Sequence, residues 1–284
     1  MESSKPNSRE TPNRTDGTGY YVYCIADSLA AHEIVQGPVP KAIEENVALE
    51  LITRNSLTAV VSVVPLSEFG EDALESRLTD ATWTAIHAMR HEQVVEHFAS
   101  RTSVVPLRFG TIYLDLAGIE QMLGENEKKL SKIVERLSGR VEWGVNVYCN
   151  RQTLMDNITN LSPRLRQMRE EVKEASPGQA YLLQKKIETQ RADEVKVEIA
   201  RAVDDIEQVL NQHSAGSTKL RILKVETTEH GELKAKFAFL VKRETFEEFR
   251  DAAEHLAQEH QAAGVRLELT GPWPVYNFLT GLQD

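Results

Sequence analysis

Val141-Glu-Trp-Gly-Val-Asn-Val-Tyr-Cys149 decides how the second half of this chain is read. It is short, apolar and rich in the strand-favouring Val, Trp and Tyr, so it predicts a β-strand. A helical region follows, over about residues 161–213. Ser176-Pro177 is a start signal within it, an N-cap serine before a proline at the first helical position. From there the helix is expected to run to about His213. Ala192, Val195, Ile199, Ala202, Ile206 and Val209 recur at 3-4-3-4-3 spacing, the apolar stripe of a coiled-coil-type helix. Such a helix is about 54 Å long, more than a compact domain covers alone. The stripe is read as packing within the chain, with a partner-binding zipper as the alternative. Thr218–Thr227 and Glu232–Val241 read as a hairpin around His230-Gly231. Glu244–Gln261 reads as a helix and Val265–Leu269 as a last strand. The order is βαββαβ, the ferredoxin-like plan.

Working outward, the first half fits the same plan less cleanly. Tyr20–Ala26, Val47–Thr53, Leu57–Leu66 and Ser103–Tyr113 read as strands, the last interrupted by Pro106 and Gly110. Arg54-Asn55-Ser56 is a turn. A weak helix or loop joins the first two strands, and Asp80–Ser100 is an amphipathic helix. Leu116–Leu137 is helical, weakened by Gly118 and Gly124. The halves share short echoes, Val-Tyr-Cys at Val22 and Val147 and Val-Val-Pro-Leu at Val63 and Val104. The fold class expected is therefore α+β with two domains. An N-terminal ferredoxin-like domain spans residues 20–137, and a C-terminal α+β domain with long coiled-coil-type helices spans residues 138–284. The first nineteen residues are polar and are expected to be disordered.

The chain has 284 residues, is 27% charged and carries a net charge of −10. That balance argues against nucleic acid as a partner, because phosphate binding needs a dense basic surface. It argues equally against docking on an anionic membrane. No apolar run approaches the roughly 20 residues that span a bilayer, and no secretory signal is visible. The two cysteines, Cys24 and Cys149, lie in strand-like runs without metal-like spacing and read as buried free thiols in a cytoplasmic protein.

Catalytic signatures are missing: there is no phosphate loop, nucleophile elbow or kinase set. The one temptation is Ile-His-Ala-Met-Arg-His-Glu-Gln, where His87 and His91 lie four apart on a helix beside Glu92. The order is not that of a zinc helix, and no third ligand is in sequence. Taking Ile86, Val94, Val95 and Phe98 as the apolar face, the histidines read as a solvated flank. No catalytic, cofactor or metal residue is expected.

Several segments together resemble one family. They are Tyr20–Ala26, Val104–Tyr113 with Pro106, Arg108, Phe109 and Gly110, Glu142–Tyr148 with Trp143, Ser176–Lys186 with Tyr181, and Thr270–Phe278. Their order is that of the gas vesicle accessory proteins of the GvpF/GvpL family. Gln184, where the motif is commonly basic, and Val275, where a further proline is common, are departures. The resemblance implies a non-enzymatic assembly factor or minor component. Its partners would be the hydrophobic gas vesicle shell protein and other accessory proteins, in the cytoplasm and at the vesicle. The rival reading is a ferredoxin-like small-ligand regulator or enzyme using the His87/His91 region.

In the last of these segments, Pro272 and Pro274 hold the chain extended around Trp273, followed by Tyr276 and Phe278. These aromatics are read as clamping back on the chain's own body, with a docking surface as the alternative.

Overall fold

The computed structural model describes residues 17–222 and 227–279. Most of the tail expected to be disordered lies outside these, but its end does not, because the first strand begins at Thr18 rather than Tyr20 and pairs there with Pro65. The chain is α+β and divides between Arg136 and Leu137 into two compact units.

The first unit holds β1 (Thr18–Asp27), α1 (Ser28–Ile34), β2 (Glu50–Arg54), β3 (Leu57–Pro65), α2 (Leu66–Phe69), α3 (Glu71–Arg77), α4 (Ala81–Ala99), β4 (Val104–Pro106), β5 (Ile112–Tyr113), α5 (Leu116–Glu125) and α6 (Glu127–Leu137). The sheet order is β2-β3-β1-β4, with β5 also on β1, and every pairing is antiparallel. Asn55 turns the β2–β3 hairpin at φ 54, a left-handed conformation that Asn tolerates better than most residues. Residues 47–49, expected in the strand, precede β2. Asp80 starts α4 by accepting from the backbone N–H groups of Thr82 and Trp83. The expected helix 116–137 is broken at Asn126 into α5 and α6.

The second unit holds β6 (Arg140–Cys149), α7 (Arg151–Leu161), α8 (Pro163–Glu174), α9 (Pro177–Gln212), β7 (Gly216–Leu220), β8 (Thr227–Thr228), β9 (Gly231–Lys242), α10 (Phe246–Glu259) and β10 (Val265–Trp273). Its sheet order is β10-β6-β9-β7, again antiparallel, with β8 on β9. In both units the last strand of the path lies beside the first. Helix begins at Arg151, earlier than the expected 161, because Asn150 caps it and Ser162-Pro163 restarts it at once. Ser176-Pro177 starts α9 as its sequence predicts, with the Gln179 side chain accepting from the Ser176 N–H (3.3 Å).

The core of this unit lies between one sheet face and the helices. Val145, Val147, Phe237 and Phe239 meet Val195, Ala202, Ile206 and Leu210 of α9 and Phe249 of α10. The stripe thus packs within the chain, except that Ala192 is exposed. Two buried carboxylates interrupt the stripe and both are satisfied. Glu194 accepts from the Ser162 hydroxyl (2.7 Å), and Glu198 pairs with Arg201.

Candidate functional site

The histidine pair of α4 does not face solvent. His87 and His91 are buried, while Ile86, expected on the apolar face, is exposed. The expectation failed because imidazole was counted with the polar residues. Here it fills an aromatic cluster. His87 stacks on Trp83, with ring centroids 3.9 Å apart, and His91 stacks on Tyr23 at 5.8 Å. The Tyr21 hydroxyl donates to His91 Nδ1 (2.9 Å) and accepts from the Gly110 N–H (3.0 Å). Burial lowers the His91 pKa to about 4, a backbone hydrogen bond with Leu107 offsetting part of the shift. Burial pushes Tyr23 up to about 12 and Tyr21 further in the same direction. The two hydroxyls hold their protons, and His91 stays neutral, through the physiological range. Among the described residues no group of three potential ligands could hold a metal ion.

The segment after α4 is drawn into the same cluster. Pro106 is buried on β4 opposite Cys24. Phe109 is half-buried and meets the rings of Tyr21, Trp83 and His91 edge-on. Gly110 has φ 83, which turns its N–H onto Tyr21, and the Arg108 side chain is exposed. This motif is therefore mostly internal architecture.

The terminal segment differs from its expectation. β10 does not stop at Leu269. It crosses a bulge at Gly271-Pro272 and re-enters the ladder with Trp273 opposite Glu142. Trp273 is 54% exposed, so only one side of its ring meets the body. It is nonetheless fixed. Its indole N–H donates to the Thr270 hydroxyl (3.2 Å), and a Cβ on Gly271 or Gly144 would meet the ring at 3.2 and 3.8 Å. The ring thus lies on a bed of two glycines. What fastens the segment beyond it is Pro274, Val275 and Leu279, all buried, while Tyr276 and Phe278 are half-buried.

A buried carboxylate supplies the polar fastening. Glu142 is 4% exposed and accepts from the Asn277 backbone N–H (3.1 Å) and side-chain amide (2.6 Å). Burial raises its pKa, and the two Asn277 bonds pull it back. Neither residue was singled out in the sequence, although an acidic residue inside a strand otherwise rich in Val and Trp was a usable signal. Trp143 stacks on Phe246 (4.2 Å, 14°). Tyr181 lies on the outer part of α9, 60% exposed beside Leu182.

The model of the family described as gas vesicle synthesis protein GvpL/GvpF matches residues 19–280. The chain belongs to the GvpL/GvpF family. Among curated GvpL/GvpF proteins it is 29% identical to gas vesicle protein L of Streptomyces sp. (strain CB03234), over 80% of this chain and 82% of that one. It is 25% identical to gas vesicle protein F of the same strain, over 91% of this chain and 98% of that one. The solved structure of GvpF from Anabaena sp. PCC7120 superposes with a TM-score of 0.62 at 15% identity, over 92% of this chain and 96% of that one. GvpF from Microcystis aeruginosa gives 0.54 at 18% identity, over 92% and 98%. The GvpL/GvpF match thus takes in both units, including the Pro-Trp-Pro segment.

Proposed function

We propose that this chain is a non-enzymatic assembly factor or minor component of gas vesicles. It binds the hydrophobic shell protein and keeps it soluble while the vesicle forms, in the cytoplasm and at the vesicle, together with other accessory proteins. The observation that carries this reading is the solvent-facing Trp273, immobilised on its glycine bed, in a chain of a gas vesicle synthesis family. A shell subunit exposes apolar surface before it assembles, and such surface aggregates. A partner with net charge −10 covers that surface and holds the complexes apart. Pro272 and Tyr181, both exposed, extend the proposed contact set. Trp143, Pro274, Tyr276 and Phe278 support it from within the second unit, whereas Pro106, Arg108, Phe109 and Gly110 belong to the first unit and are proposed there as structural residues, Arg108 alone among them being exposed. The ferredoxin-like reading of each unit belongs to the proposal and is supported by the two strand orders. So does the coiled-coil-type reading of the long helices.

The small-ligand alternative loses its residues, since His91 is 1% exposed and His87 is stacked on Trp83. Co-expression of the tagged chain with the shell protein tests the main reading. Soluble shell protein should co-purify with the chain, and a shell protein that stays equally insoluble with and without it would refute the proposal.

A further inference from the structure

The outer edge of β10 has no strand beside it, since the sheet path ends there among the described residues. Its backbone polarity is fixed by two bonds. Asn150 N–H donates to the Gly264 carbonyl (2.8 Å), and Val265 N–H turns away to the His260 carbonyl (3.3 Å). Alternation then directs the backbone groups of Arg266 and Glu268 to β6, and those of Leu267 and Leu269 to the free side. The side chains sort differently. Leu267 and Leu269 pack on the core, whereas Arg266 and Glu268 are exposed on the opposite face, where Asn146 (2.9 Å) and Tyr148 (3.1 Å) orient the Glu268 carboxylate.

We propose that this edge pairs antiparallel with β10 of a second copy of the chain, about a twofold axis at Leu267. Charge selects both the partner and the register. Outward-facing residues must meet outward-facing residues, which leaves three short registers. An axis at Leu267 sets Arg266 opposite Glu268 of the second copy, twice, in the pair type whose side chains come closest. An axis at residue 266 sets arginine against arginine, and one at residue 268 sets glutamate against glutamate. Charges on an edge ordinarily keep other strands away. Alternating in sign, they reject a foreign apolar strand and accept the same strand reversed, the self-complementarity of a twofold interface.

The test is the oligomeric state of the full chain by light scattering and sedimentation over a concentration series. The wild type should dimerise. Arg266→Glu and Glu268→Arg should each weaken the dimer roughly tenfold or more, because each places two like-charge pairs face to face. The double variant Arg266→Glu/Glu268→Arg restores opposite charges and should dimerise as the wild type does. Hydrogen exchange on the wild type gives an independent reading if a single variant misfolds: the Leu267 and Leu269 amides should be protected in the dimer and exchange on dilution. A wild type that stays monomeric, a double variant that folds but fails to recover, or Leu267 and Leu269 amides equally protected on dilution would each overturn the proposal.

Discussion

His91 shows what a single residue does when its environment chooses its protonation state. In the folded chain its pKa is about 4, against 6.5 for an ordinary histidine. The unfolded chain therefore binds the extra proton first as pH falls. Stability from this site is complete above about pH 6.5 and is lost progressively down to about pH 4, by on the order of 3 kcal/mol. The melting temperature of the wild type should fall over that window. His91→Gln should be less stable at pH 7.5 but should show a shallower fall, and an unchanged slope would remove His91 as the cause. Glu142 makes a second residue-scale case. Asn277→Ala removes one of its two donors and leaves a buried carboxylate under-satisfied, costing about 1–3 kcal/mol. A denaturant melt with an unmoved midpoint would mean that water replaces the amide. The surroundings of both were hidden in the sequence because each is a polar residue completed by a group far along the chain. His91 meets Tyr21, and Glu142 meets Asn277.

At the scale of elements, α9 was the most legible part of the chain. Its start, its length and its apolar stripe follow from Ser176-Pro177 and from the spacing of Val195, Ile199, Ala202 and Ile206. What spacing alone did not give is the helix's surroundings. α7 and α8 pack along α9 and answer the excess of length, but their start at Arg151 rests on an Asn150 cap that the apolar pattern does not reveal. Burial also varies along α9. Ile206 is 0% exposed, whereas Leu182 is 67% exposed. Ile206→Asp should cost several kcal/mol and destroy cooperative unfolding of the second unit, because it buries an unpaired charge. Leu182→Asp should stay within about 0.5 kcal/mol of the wild type. Thermal melts of the pair separate the two halves of the helix, and equal losses would mean that the outer part is packed as tightly as the inner.

For the whole molecule the open question is what a gas vesicle protein of this family presents to its partners, and Trp273 is where stability and binding can be pulled apart. The prolines beside it suggested stiffness, and stiffness suggested fastening. The segment is stiff, but the fastening falls to Pro274, Val275, Leu279 and the Glu142–Asn277 bonds, which leaves the indole half in water. Short-range sequence cannot distinguish these cases, because the glycine floor under the ring comes partly from β6. Removing a fully buried Trp costs about 3–5 kcal/mol. Trp273→Ala should cost well under half of that, since the exposed half of the ring leaves no cavity. A rigid aromatic presented to a partner carries about 2 kcal/mol or more of complex stability, some thirtyfold in affinity, because little side-chain freedom remains to be lost on binding. The variant should therefore melt close to the wild type and, under the proposed shell-protein contact, lose most of the wild type's retention of that protein in a pull-down. Gly144→Ala offers a second variant, which keeps the indole in the chain but disturbs its seat. Its Cβ would come within 2.5 Å of the Thr270 hydroxyl, the group that holds the indole N–H, so the ring should be dislodged and retention should fall in parallel. Should Trp273→Ala unfold early while the refolded remainder still holds the shell protein, the exposed face of the ring would be incidental and the contact would have to be sought on α9, around Tyr181 and Leu182.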